Sequence, residues 1–267
     1  MKKIFVVLSM FVFILFYNVP LLAVCNISAT SGILLDAETG NILYNKDAFV
    51  SRSPASTTKI LTSILAIECG NLNDIVTVSK EAASVGEASL NLNAFDRLTL
   101  NELLHGALIK SGNDACVAIA EHISLSEEEF VGLMNLKART LGALNTTFCN
   151  TNGLPYTGHS TTAYDLAQIT RYALKNSVFR EIVKTKYYTM KWTEPKRSRY
   201  LKNTNKLLWS FPQATGVKTG TTINAGKCLV ASAIKNNKEL IVVILNSHDR
   251  FSDAKKLLEY GFKVKEN

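Results

Sequence analysis

Residues 216–246 read GVKTGTTINAGKCLVASAIKNNKELIVVILN. Gly216 to Gly220, Lys227 to Ile234 and Leu240 to Asn246 are apolar runs of strand length, and Lys235-Asn236-Asn237-Lys238 supplies a turn between the last two. A closing helix is expected from about Ser252 to Tyr260. Near the other end, Ser31 to Ala37 (SGILLDA) breaks at Glu38-Thr39-Gly40-Asn41 and resumes as Ile42-Leu43-Tyr44, which predicts a β-hairpin. Between these strand regions the apolar period becomes helical. Pro54-Ala55-Ser56 opens a long pattern with Ile60, Leu61, Ile64, Leu65 and Ile67 apolar, closed by Gly70-Asn71. Thr99 with Glu102 and Ser126 with Glu129 are capping-box pairs for helices reaching Lys110 and about Leu141. Asn113 or Asp114 starts a short apolar helix through Ile123, and Thr162 to Lys175 is a further helix. Strands at both ends with helices between predict an α+β fold, an antiparallel sheet whose edges come from both termini with a helical part inserted. The basic stretch Lys191 to Lys206 reads most simply as a solvated loop or hairpin.

The chain has 267 residues, 47% hydrophobic and 19% charged, which excludes intrinsic disorder, and its 14 Gly and 5 Pro exclude collagen-like or low-complexity chains. Lys and Arg number 30 against 22 Asp and Glu, leaving +8, a balance suited to nucleic acid, an anionic envelope polymer or a membrane surface. No nucleic-acid module signature is present, so nucleic acid is not an expected partner. There is no internal repeat and no linker long enough to separate independent domains.

Lys2 and Lys3 precede an uncharged stretch from Ile4 to Phe16, then Asn18, Pro20 and small and apolar residues up to Cys25. A charged, then apolar, then polar order is that of a secretory signal over residues 1–25, and it predicts an extracytoplasmic protein. Ala23-Val24-Cys25 offers small residues for cleavage, with Ile27-Ser28-Ala29 as a second option. An uncleaved segment serving as a membrane anchor is the alternative, and it is the one membrane contact that the sequence predicts. The five cysteines, Cys25, Cys69, Cys116, Cys149 and Cys228, show neither CxxC spacing nor an accompanying His cluster, so no metal is expected. Cys69, Cys116 and Cys228 lie in apolar segments and read as small buried residues.

Three short motifs carry chemistry. Ser56-Thr57-Thr58-Lys59 is S-x-x-K; on a helix, positions i and i+3 share a face, so a neutral Lys59 amine can take the proton of the Ser56 hydroxyl while the helix N-terminus favours the developing anion. Alone, the pattern reads more simply as an N-cap serine with a surface lysine. It recurs at Ser232-Ala233-Ile234-Lys235, where a strand puts Ser and Lys on opposite faces. Ser111-Gly112-Asn113 joins two predicted helices, and Lys218-Thr219-Gly220 lies on a predicted strand. S-x-x-K, S-x-N and K-T-G in this order form the motif set of β-lactamases and penicillin-binding proteins.

From about Ile27 onward the sequence resembles the low-molecular-mass penicillin-binding proteins, the serine-type D-alanyl-D-alanine carboxypeptidases of bacterial cell walls. The resemblance rests on SPASTTKILTS (Ser53 to Ser63), IKSGNDA (Ile109 to Ala115), TTAYDLA (Thr161 to Ala167), NTNKLL (Asn203 to Leu208), GVKTGTT (Gly216 to Thr222) and AGKCLVASA (Ala225 to Ala233). It implies a penicillin-recognition fold with a five-stranded antiparallel sheet flanked by helices, and a catalytic domain over residues 26–267 without the C-terminal β-domain or amphipathic anchor of many relatives. It implies peptidoglycan stem peptides as substrates, β-lactams as covalent inhibitors and no cofactor. By the same resemblance Ser56 is the nucleophile, Lys59 the base of acylation, Ser111 the donor to the leaving amine and Asn113 the orienter of the substrate amide. Lys218 with Thr219 would hold the terminal carboxylate, Gly220 would leave the backbone open, and the N–H groups of Ser56 and Thr221 would form the oxyanion hole. A depressed Lys59 pKa is expected, with a neighbouring cation such as Lys218 helping to keep the amine neutral. Arg250 reads either as a further ligand of the carboxylate or as a solvated arginine before a helix.

A β-lactamase is the rival on the same fold, but no E-x-x-L-N follows Ser111; Glu68 to Asn73 (ECGNLN) is off by one residue and precedes it. A transpeptidase and a non-catalytic penicillin-binding sensor are further rivals. Asn91-Leu92-Asn93-Ala94-Phe95 stands where relatives have a Gly-rich, charged segment, so the site rim is expected to differ there.

Overall fold

Leu240 to Leu245 is apolar without interruption because the strand that holds it is covered on both faces. The computed structural model describes residues 25–266, so the N-terminal segment read as a signal or anchor lies outside them. Among the described residues the strands are β1 (Ser31–Asp36), β2 (Ile42–Lys46), β3 (Ile75–Thr77), β4 (Arg97–Thr99), β5 (Tyr187–Lys191), β6 (Ser198–Lys202), β7 (Ala214–Thr222), β8 (Gly226–Lys235) and β9 (Lys238–Ser247). The helices are α1 (Lys59–Cys69), α2 (Lys80–Ser84), α3 (Leu100–His105), α4 (Asn113–Ser124), α5 (Glu127–Thr140), α6 (Ala163–Ala173), α7 (Ser177–Lys184), α8 (Leu207–Ser210) and α9 (Arg250–Glu266).

The main sheet runs β2-β1-β9-β8-β7 with every neighbouring pair antiparallel, so its two edges come from the two ends of the chain as expected. Along β9, Ile241, Val243 and Leu245 join the core shared with α1, α4 and α6, while Leu240, Val242 and Ile244 pack with Ala254, Leu257 and Phe262 of α9. The β8–β9 turn needs two left-handed residues, and Asn236 (φ 51°) and Asn237 (φ 59°) supply them. The remaining strands form two separate two-stranded ribbons, β3 with β4 across an excursion that holds α2, and β5 with β6 as a hairpin.

Helix α1 is buried from Lys59 to Ala66 and packs on α4, α5 and α6, which makes it the axis of the helical part. Thr99, Ser126 and Thr162 cap α3, α5 and α6 by accepting from the N–H groups of Glu102, Glu129 and Asp165. Four readings change. The helix expected from Pro54 begins as a separate 3₁₀ turn, Ala55–Thr58, and the helix expected from Thr99 to Lys110 ends in a π-helical turn, Gly106–Lys110. The closing helix extends well beyond Tyr260. Cys69 is exposed, because the buried side of α1 ends at Ala66 and the last turn faces solvent, whereas Cys116 and Cys228 are buried. All five thiols are free. Among the described residues no helix is long and apolar enough to cross a membrane.

Asp253 fastens the segment at Ser28 and Ala29 to α9 and to the end of β9. Its carboxylate accepts from Ser28 N (2.9 Å), Ala29 N (2.9 Å), Ser28 Oγ (2.8 Å) and Ser247 Oγ (2.7 Å). Burial alone would raise its pKa, but the hydrogen bonds from Ser247, Ser28 and Ala29 outweigh it and hold the carboxyl below its ordinary value. A depressed folded-state pKa contributes stability above the unfolded value that is lost as pH falls through the folded one. Asp253→Asn should therefore cost about 2 kcal/mol at neutral pH, and denaturant melts should show the gap from wild type closing as pH falls below the carboxylate range.

Candidate active site

The 3₁₀ turn Ala55–Thr58 places Ser56 and Lys59 one above the other, because residues three apart eclipse in that geometry. Lys59 Nζ lies 3.1 Å from Ser56 Oγ. The same amine reaches Asn113 Oδ1 at 2.8 Å and the main-chain oxygen of Asn152 at 2.5 Å. Those two oxygens account for both N–H groups of a neutral amine and leave its lone pair for the Ser56 hydroxyl. Lys59 is fully buried, and that burial pulls its pKa from 10.5 down to about 8. The expected depression is present, but loss of water produces it; the expected help from a neighbouring cation is not among its causes, and the charged neighbours Asp114 and Glu87 act in the opposite direction.

Asn113 is fixed at both ends. Its Nδ2 donates to Gly86 O (3.0 Å) and its main-chain N to Ala88 O (2.7 Å), which aims Oδ1 at Lys59. Just before it, Ser111 takes a left-handed conformation (φ 72°, ψ 31°) that ends the π-helical turn and directs its hydroxyl to Lys218 Nζ, 3.0 Å away. Lys218, on β7, also donates to Thr219 O (2.9 Å), and burial followed by the like charge of Lys59 lowers its pKa. Thr219 Oγ1 pairs with Thr204 Oγ1 at 2.8 Å.

Two glycines let three backbones meet. A Cβ on Gly220 would stand 2.9 Å from Ser56 N, and one on Gly153 would stand 1.9 Å from Ala55 O. β7 and the 150–158 loop thus press on the turn that carries Ser56. Arg250, the first residue of α9, donates to Gly220 O (2.7 Å) and Thr221 Oγ1 (2.8 Å), so it faces the cleft and is not a solvated arginine. The cleft holds about 470 Å³ and is bordered by Ser56, Lys110, Ser111, Thr204, Thr219, Gly220, Thr221 and Arg250 together with Glu87 to Ser89.

All nine site residues read from the sequence gather within this cleft or directly beneath it. Sequence reasoning missed the groups that carry no motif of their own. The Asn152 carbonyl is main chain, and Glu87 sits in an irregular loop. His159 accepts from Cys149 N at Nδ1 (3.0 Å) and lies 3.0 Å from Thr58 Oγ1 through Nε2, bracing the turn from behind. Burial lowers its pKa to about 4, so the ring is neutral and Nε2 donates. Residues 91–95, expected to reshape the rim, are not among those that border the cleft: Asp114 accepts from Leu90 N and Leu92 N, and Glu87 to Ser89 line the cleft instead. The second S-x-x-K copy is on β8, where Ser232 is buried and bonds Thr215 Oγ1. A larger groove of about 680 Å³ in the helical part holds carboxylates already engaged, Glu121 by Ser79 and Glu127 by Thr151.

A family model described as D-alanyl-D-alanine carboxypeptidase matches residues 19–249. The D-alanyl-D-alanine carboxypeptidase DacF of Bacillus subtilis (strain 168) is 40% identical over 242 residues, 88% of this chain and 62% of its own length. DacC of Escherichia coli (strain K12) is 39% identical, again over 62% of its length, so the chain spans less than two thirds of these two relatives. The D-alanyl-D-alanine carboxypeptidase of Streptomyces sp. (strain K15) is 37% identical over 88% of its length. The crystal structure of the Streptomyces K15 DD-transpeptidase superposes with a TM-score of 0.85 at 36% identity, covering 89% of this chain and 98% of that one.

Gly153→Ala should destabilise the fold by about 3 kcal/mol, since φ is +88° and the added Cβ would overlap the Ala55 carbonyl. Chemical denaturation measures this directly, and Gly142→Ala, at φ +78° with open space around it, is the control for backbone strain alone.

Proposed function

The chain belongs to the D-alanyl-D-alanine carboxypeptidase family, and we propose that it acts outside the cytoplasm as a serine carboxypeptidase removing the terminal D-alanine from peptidoglycan stem peptides. The observation that carries this reading is the Lys59 amine, buried and placed 3.1 Å from Ser56 Oγ with both its other contacts fixed oxygens. Ser56 Oγ attacks the carbonyl carbon of the penultimate D-alanine as Lys59 takes its proton. Negative charge gathers on the carbonyl oxygen, where the N–H groups of Ser56 and Thr221 receive it; one such donor is typically worth about 3 kcal/mol. The carbon–nitrogen bond breaks as a proton passes through Ser111 to the departing amine. Water then attacks the ester and returns the proton to Ser56, releasing a stem peptide one residue shorter.

Lys218, Thr219 and Arg250 converge where the terminal carboxylate would sit. An arriving carboxylate favours a charged Lys218, and that charge in turn disfavours a proton on Lys59, so substrate binding prepares the base. A β-lactam, which resembles the acyl-D-Ala-D-Ala terminus, forms the same ester on Ser56. An amine replacing water gives transpeptidation, a second outcome supported by the Streptomyces K15 relative, which carries both names.

Incubation with diacetyl-Lys-D-Ala-D-Ala should release D-alanine, and a fluorescent penicillin should label the chain; Ser56→Ala should abolish both. Labelling without release would favour a sensor instead. Because the base must be neutral, the acylation rate should rise about tenfold per pH unit below about 8 and level off above it. A stopped-flow penicillin acylation profile still rising toward 10.5 would contradict that assignment.

A further inference from the structure

The β5–β6 hairpin has an outward face that the reaction proposed above leaves without a task. Strand alternation sends Met190 and Leu201 inward and Tyr187, Lys191, Tyr200 and Lys202 outward. Tyr187 and Tyr200 stack with centroids 5.6 Å apart and planes at 15°, and Trp209 of α8 meets Tyr187 edge-on at 5.6 Å. Tyr200 is 65% exposed and Tyr187 45%. Lys202 Nζ stands 5.3 Å over the Trp209 ring. A solvated hairpin, as the sequence reads most simply, does not require three clustered rings in water.

Charge is concentrated in the same place. Lys184 to Lys206 holds eight Lys and Arg against Glu194 alone, so seven of the chain's eight net positive charges fall in this segment. Glu181 and Asp96 neutralise Lys184 and Arg197, but exposed Lys186, Lys202 and Lys206 have no carboxylate partner among the described residues. Lys186 and Trp209 also border a groove of about 530 Å³, within the usual range for a ligand site.

Flat aromatic faces beside free cations suit sugar rings that bear carboxylates. The C–H face of a pyranose covers an aromatic ring, and the ammonium groups take the acid. A lipid surface would call for aliphatic side chains to insert, and the outward positions of the two strands hold none. We propose that this face binds an anionic polysaccharide, a glycan strand carrying carboxylates. β6 continues through Asn203 to Thr204, which borders the active-site cleft, so the strand would be held next to the catalytic serine. That consequence rests on the carboxypeptidase reading; the binding itself does not.

The test is retention of the full chain carrying Ser56→Ala on cell-wall glycan strands freed of their stem peptides and immobilised on a solid support, in about 0.1 M salt. Binding is expected, and both the Tyr187→Thr/Tyr200→Thr pair and Lys202→Gln should weaken it by about tenfold or more. The same substitutions on the Ser56 chain should leave melting temperature and diacetyl-Lys-D-Ala-D-Ala turnover unchanged. Glycan binding that persists when peptide turnover is absent would uphold this site and reject the carboxypeptidase reading. Three results would overturn the proposal: unchanged binding by the variants; loss with Lys202→Gln alone together with equal binding of single-stranded DNA, the mark of a plain polycation; or capture by phosphatidylglycerol vesicles and not by glycan.

Discussion

One buried amine position organises the candidate site of this protein. Lys59 Nζ is where the 3₁₀ turn, the Ser111–Asn113 turn and the 150–158 loop meet, through Ser56 Oγ, Asn113 Oδ1 and Asn152 O. A lysine taken wholly out of water is costly while charged, and the protein answers with two carbonyl oxygens and a lowered pKa, not with a carboxylate. Had a carboxylate been placed there, the amine would stay protonated and could not act as a base. The arrangement that makes Lys59 expensive is the one that makes it reactive.

Keeping that point fixed takes support from every side. The main sheet brings β7 against the 3₁₀ turn, and only a residue without a Cβ at Gly220 lets the strand approach Ser56 N so closely. Gly153 does the same from the opposite loop, and the His159–Thr58 contact braces the turn from beneath. Ala55, just before Ser56, takes a left-handed conformation (φ 48°). Its strain persists because the flanking contacts over-determine the turn.

Charge is distributed in a complementary way. The candidate-site cations, Lys59 and Lys218, are buried, whereas seven of the eight net positive charges fall between Lys184 and Lys206, in and around the ribbon with exposed rings. Buried cations set proton affinities at short range, whereas exposed ones act across a Debye length on large anions. The two groups therefore act over different distances on one fold.

The legible parts of the sequence were those with a residue type and a period. Motif residues such as Ser56, Lys59 and Lys218 announce their chemistry, the Asn236-Asn237 turn requires left-handed residues, and Thr99, Ser126 and Thr162 mark helix starts by capping. The Asn152 carbonyl has no side-chain signature, the cleft wall at Glu87 lies in an irregular loop, and Cys69 looked buried because composition does not say which way the last helical turn faces. The sequence alone determined an α+β chain and which side chains gather at the candidate site. Only the tertiary structure decided that Lys59 is dry, that a main-chain oxygen completes its shell and that Arg250 faces the cleft, because burial and distance arise from contacts between segments far apart in the chain.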